Sequence, residues 1–142
     1  TTTFLYFSVN EFNAHAFTVE LGKVRPFGEN DRSKFAAAEQ TLRRLISEDS
    51  LDFGSFEPNK HFIFKEAQTI NRMNEDFELN FADDVANFTS FDKGDLLARD
   101  GDESLYAQHD GEHIIFPNAK VALGQRALLT VVRVPTESLE LE

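Results

Sequence analysis

Cysteine and tryptophan are absent from this chain of 142 residues, and methionine occurs once. Without cysteine there is no disulfide, no thiol nucleophile and no cysteine-ligated zinc site. That composition fits a reducing, cytoplasmic setting. Positive charge is also scarce: 14 Lys and Arg stand against 25 Asp and Glu, a formal net charge of -11. Nucleic acids and anionic membranes are gripped by clustered Lys and Arg, so this balance argues against both as partners. Long apolar runs are missing too, since none approaches the roughly 20 residues that span a bilayer. The opening Thr1-Thr2-Thr3 runs straight into FLYFSV. It does not read as a secretion signal, and it looks like the interior of something longer. At the far end, Leu141-Glu142 has the look of a vector remnant.

Phenylalanine, by contrast, is abundant, with fifteen in the chain. Phe is a large core-filling side chain, so a Phe-rich core is expected in a domain of this ordinary length. Common catalytic signatures are not found. There is no G-x-S-x-G elbow and no Gly-rich phosphate loop. His109 and His113 flank an Asp110-Gly111 turn signal. In a two-residue hairpin His109 faces Glu112, and His113 lies on the opposite side of the pleat. His15 and His61 have no partner in a motif. A zinc site needs three or four converging ligands, and this pattern supplies none. The acidic stretch from Arg99 to Glu103 lacks the ligand spacing of a calcium loop. Lys93 is the one lysine on a predicted tight turn, where a charged turn residue and a biotin- or lipoyl-carrier lysine are both conceivable. Turn chemistry favours the former.

The chain reads as two parts, 1–52 and 53–142. In the first, FLYFSV and the alternating stretch from His15 to Leu21 are expected strands. ENDRSKFAAAEQTLRRLISED is an expected helix, with Asn30 or Asp31 as N-cap. Its buried stripe would be Phe35, Ala38, Leu42, Leu45 and Ile46, with Glu39 paired to Arg43. Two strands and one helix cannot cover both faces of a sheet, so further layers are expected elsewhere. A connector containing Gly54 and Pro58 follows. From His61 onward, short alternating stretches are punctuated by Asp-Gly turns, which suggests an antiparallel barrel or sandwich.

Alternation places Glu20 where the strand over 15–21 opens into a loop with Gly22 and Pro26. Pattern alone reads it as a solvated strand-end glutamate. Such ends also carry catalytic groups in α/β proteins.

The stretch FTVELGKVRPFGENDRSKF, with its E-L-G-K-x-x-P-F-G-x-N-D string, closely resembles the succinylglutamate desuccinylases of the zinc-dependent aspartoacylase family. TTTFLYFS and IIFPNAKVALGQRALLTV resemble the same family, so the likeness covers most of the chain. The resemblance implies an α+β fragment. The last strands and helix of a carboxypeptidase-like α/β domain would be followed by a compact antiparallel β-barrel-like domain. It further implies an amide hydrolase acting on N-succinylglutamate in arginine breakdown by the succinyl route, with Glu20 as general base and acid. One zinc ion is implied, its His and Glu ligands lying outside this chain, so the 142 residues alone would be inactive. Three carboxylates on the substrate call for guanidinium forks. Arg25 is the local candidate, Lys23 a weaker one. Asn118 stands in the segment where related aspartoacylases place a substrate-contacting tyrosine, which this chain lacks. Two rival readings stay open: a non-catalytic β-rich binding or assembly module, and a deacylase for another acyl group. An exposed sheet edge in the first part would favour self-association.

Overall fold

The computed structural model describes residues 3–22 and 25–138. The chain divides into two compact units, Thr1–Gly54 and Ser55–Glu142. Helices occupy the first and antiparallel sheets the second, which makes the fold α+β. No helix among the described residues is long and apolar enough to cross a membrane. Lys23 and the pair Leu141-Glu142 lie outside the described residues.

In the first unit, helix α1 (Phe4–Phe12) stands where an opening strand is expected. Its Phe, Tyr and Val side chains favour strands. A strand, however, needs a neighbour for its N–H and C=O groups, whereas a helix bonds them to its own turns. Thr3 caps the start, its Oγ1 accepting from the Tyr6 N–H at 3.2 Å. Asn13 ends the helix in the left-handed region, φ 49°, which Asn tolerates. The strand expected over 15–21 is absent as well. Residues 13–21 have no regular structure, because no described strand of this unit offers them a ladder. Phe17, Val19 and Leu21 are all exposed.

Asp31 caps the next element as expected, accepting from the Ser33 N–H at 3.1 Å. A 3-10 turn (Arg32–Phe35) then leads into helix α2 (Ala36–Ser47). Glu39 pairs with Arg43 at 2.8 Å and with Arg32 at 3.0 Å. The apolar stripe is not buried as expected. Phe35 and Ala38 are half-buried, but Leu42, Leu45 and Ile46 are 53%, 52% and 87% exposed. An amphipathic face is buried only against a second layer, and the described residues of this unit provide none.

The second unit has two sheets. One has the order β1 (Ile63–Asn71), β7 (Arg126–Val134), β6 (Glu112–Ile115), β3 (Ser90–Phe91). The other has β2 (Glu78–Leu79), β4 (Leu96–Asp100), β5 (Glu103–Tyr106). β1 and β7 pair from Ile63 opposite Val134 to Asn71 opposite Arg126. Ile70, Ile114, Ala127 and Leu128 from the first sheet share one core with Leu97 and Ala98 from the second. Leu97 and Ala98 are adjacent yet both buried, because a register shift in the β4–β5 ladder falls there. The β4–β5 turn is the Asp-Gly hairpin that the sequence suggests, with Asp100 opposite Glu103. Asp110-Gly111 is not a hairpin: β5 and β6 belong to different sheets, and the segment crosses between them.

The core is aliphatic rather than Phe-rich. Phe77 is the buried phenylalanine among the described residues, with Phe81 and Phe91 packed at its margin. Seven of the fifteen Phe lie in the first 54 residues. No residue of α1 or α2 is buried there.

Candidate functional site

Glu20 lies in the stretch without regular structure, with its side chain exposed. Leu21 separates it from Gly22, whose φ of +100° an L side chain rarely adopts. The glycine thus turns the backbone sharply two residues after the carboxylate. Arg25 is exposed on the same loop. Beyond it, Glu39 is drawn below the ordinary carboxylate range by hydrogen bonds from Arg43 and Arg32. That triad is solvated, so it orders the surface of α2 with little effect on stability.

Asn118 belongs to the second unit. Its N–H donates to the Ala127 carbonyl at 2.8 Å, and its Oδ1 accepts from the Lys120 N–H at 2.9 Å. It lines a cleft with Leu79, Asp83, Pro117 and Lys120. Its amide nitrogen has no partner among the described residues. Lys120 reaches Asp83 at 3.2 Å, an exposed pair.

Among the described residues, the most heavily bonded carboxylate is one that no sequence motif marks. Glu112 on β6 is 1% exposed. Its Oε1 accepts from Thr130 Oγ1 on β7 and Gln68 Nε2 on β1, both at 2.5 Å. Its Oε2 accepts from the Gln108 N–H at 2.7 Å and the His109 N–H at 3.0 Å, with the His109 ring at 3.3 Å. Burial opposes the charge, and the donors from Thr130, Gln68, Gln108 and His109 together outweigh it. The carboxyl is therefore held below its ordinary pKa. Gln68 Nε2 also donates to the Tyr106 carbonyl at 3.1 Å, and Gln108 Nε2 donates to Gln68 Oε1 at 2.9 Å. This network bridges β1, β7 and the crossover after β5. Alternation could have revealed it, because Glu112 shares a face with Ile114 rather than with solvent.

His109-Asp110-Gly111-Glu112 also has the H-x-x-E spacing of a metal-ligand pair. With donors on both Glu112 oxygens, the carboxylate is committed to the protein rather than to an ion. Among the described residues, no group of three or more His, Asp or Glu is placed to hold a metal. His113 faces away from Glu112, as expected, with its ring edge-on to Phe64 at 5.2 Å.

A second buried acid, Asp100, is 4% exposed. It accepts from the Met73 N–H at 2.9 Å and the Asn74 N–H at 2.8 Å, tying down the chain after β1.

Comparison with known proteins adds a family. Residues 59–134 match the model of the AstE/AspA barrel-sandwich hybrid domain. Residues 1–46 match that of the succinylglutamate desuccinylase/aspartoacylase catalytic domain. The chain is 82% identical over 141 residues to the succinylglutamate desuccinylase of Idiomarina loihiensis, covering 99% of this chain and 41% of that protein. It is 52% identical over 132 residues to the enzyme of that name from Pseudoalteromonas atlantica, covering 93% and 38%. The solved structure of the Vibrio parahaemolyticus enzyme superposes with a TM-score of 0.78 at 41% identity, covering 93% of this chain and 38% of that one. The chain thus spans about two fifths of the length of the curated relatives it matches.

Proposed function

The chain belongs to the succinylglutamate desuccinylase/aspartoacylase family, and from that premise we propose that it is the C-terminal part of an amidohydrolase cleaving N-succinylglutamate to succinate and glutamate. The carrying observation is the pair of matches in order, a catalytic-domain piece over 1–46 and a barrel-sandwich hybrid over 59–134. Residues 1–52 are the last piece of a carboxypeptidase-like α/β domain, and 53–142 are its β-rich, barrel-like companion. The exposed Leu42, Leu45 and Ile46 support this division, since further layers of such a domain would cover them. The reaction belongs to arginine breakdown by the succinyl route, in the cytoplasm.

Glu20 is the general base and acid of this reading. Its carboxylate takes a proton from the water that attacks the succinyl amide carbonyl, then delivers that proton to the departing glutamate nitrogen. Exposure on a loop turned by Gly22 supports the role, because the group is not tied into a ladder. Arg25 presents a guanidinium fork suited to a substrate carboxylate. Asn118 has an amide nitrogen free to donate to another. The described residues do not fit as the holder of the zinc that the family uses. Its ligands belong to the rest of the enzyme, and the 142 residues alone are inactive.

The test is succinate release by the full-length enzyme carrying this segment, wild type against Glu20→Gln. The expected loss in turnover is about 10²–10⁴-fold, with zinc content unchanged by metal analysis. Near-normal turnover would remove Glu20 from the chemistry.

A further inference from the structure

The chain contains two Asp-Gly bonds, Asp100-Gly101 and Asp110-Gly111, and the second unit holds them in opposite chemical states. At such a bond the glycine nitrogen can attack the aspartate side-chain carbon, because glycine has no Cβ to obstruct the approach. Attack needs a carboxyl free to swing toward the backbone, a nitrogen not held by a hydrogen bond, and water for the second step.

Asp100 meets none of these conditions. It is 4% exposed, and both oxygens are occupied by the Met73 and Asn74 N–H groups. The Gly101 N–H donates to Asp76 Oδ1 at 3.1 Å. Asp110 comes far closer to them, with a single hydrogen bond to open before its carboxyl can swing. It is exposed, and its one bond is Oδ1 accepting from the Lys93 N–H at 3.1 Å. The Gly111 N–H has no partner among the described residues. Gly111 has φ +67°, with open space where a Cβ would stand.

We infer that Asp110-Gly111 is a site of spontaneous backbone isomerisation, and that the fold protects the chemically identical bond at Asp100-Gly101. The Gly111 nitrogen forms a bond to Asp110 Cγ and loses its proton, and the carboxyl hydroxyl leaves with it as water, closing a succinimide. One water then reopens the ring. Cleavage at Cγ–N restores aspartate; cleavage at the main-chain carbonyl gives isoaspartate. Water leaves and water returns, so no other reactant is needed. The product carries a free α-carboxylate, the group taken by an isoaspartate-specific, S-adenosylmethionine-dependent carboxyl methyltransferase. It also lengthens the backbone beside the Gln108 and His109 N–H groups that hold Glu112.

The experiment ages the whole chain at physiological pH and temperature, native and in urea. An Asp-directed protease then cuts ahead of aspartate but not isoaspartate, and methyl transfer scores the free α-carboxylate. Cleavage should be lost at Asp110 and retained at Asp100 in the native chain. Reaction at Asp100 should be slower by about tenfold or more, since three hydrogen bonds must open first. In urea the two bonds should react alike. The Asp110→Asn variant should deamidate readily in the folded chain, and Asp110→Glu should abolish the methylation signal at this site. Equal native rates at the two bonds would overturn the inference, as would an Asp110→Asn variant whose new amide is as inert as the Asp100 carboxyl.

Discussion

Glutamine in place of Glu112 keeps the shape of the side chain and removes its charge. An amide oxygen can serve Thr130 Oγ1 and Gln68 Nε2 or the Gln108 and His109 N–H groups, but not both pairs. Its NH2 then meets the other pair donor to donor. A hydrogen bond to a charged group contributes about 1.5–3 kcal/mol net. Gln108 and the His109 ring lie at the exposed turn, where water can replace a lost acceptor, whereas Thr130 is fully buried. The oxygen therefore stays with Thr130 and Gln68, and Glu112→Gln should cost about 2–3 kcal/mol. Glu112→Ala strands all four donors and should cost about 3–5 kcal/mol. The assay is urea unfolding followed by circular dichroism, with amide exchange at Ile114 and Leu128 reporting the second unit alone. A pH series adds the sign. The folded pKa lies below the ordinary value, so the unfolded chain takes up the proton first as pH falls. The stabilisation is complete above the ordinary glutamate range near about 4.3 and shrinks below it. It vanishes beneath the folded pKa. Wild type and Glu112→Gln should therefore converge in acid. A neutral-pH difference under about 0.5 kcal/mol, the range of an ordinary surface change, would refute the clamp. So would a gap that acid leaves untouched.

Asp100→Ala leaves the Met73 and Asn74 N–H groups without their acceptor and should lower stability by about 2–4 kcal/mol, read by thermal melting; an unchanged melting temperature would show that water replaces the carboxylate. The exposed apolar side chains of α2 should make the isolated chain self-associate, with Leu45→Lys/Ile46→Lys lowering the mass seen by light scattering. Here the driving surface is a helix face, because the expected sheet edge is not present among the described residues. A monomeric wild type at high concentration would count against it.

Local signals carried well from sequence to structure. The stretches from His61 onward form strands as expected, although β1 and β7 do not alternate cleanly in burial; α2 follows from its cap at Asp31 and its apolar spacing, and the β4–β5 hairpin from Asp100-Gly101-Asp102. What failed depended on neighbours distant in sequence. FLYFSV and the stretch 15–21 look like strands, but a strand exists only beside another, and the described first unit has none. Phe was expected inside because it is large and apolar, yet the segment holding seven of them supplies no layer to bury them against. Glu112 was legible in principle from the parity it shares with Ile114. A charged residue beside a turn nonetheless reads as surface until its donors from β1 and β7 are known. Glu20 looks like any solvated strand-end glutamate by pattern, and its proposed chemistry rests on the E-L-G-K string around it.

Ile63 stands opposite Val134, so the first and last strands of the second unit leave the sheet from neighbouring points. Mechanically, the two ends form the open end of a zipper. Tension on both flanks together loads the β1–β7 ladder rung by rung from that end rather than shearing all its bonds at once. The outermost rungs carry mostly half-exposed or exposed side chains, while Ile70 and Leu128 sit at the far end of the ladder. A pull that draws the two flanking segments apart is therefore absorbed by a few peripheral rungs that can reclose, and the interior is the last part to feel it.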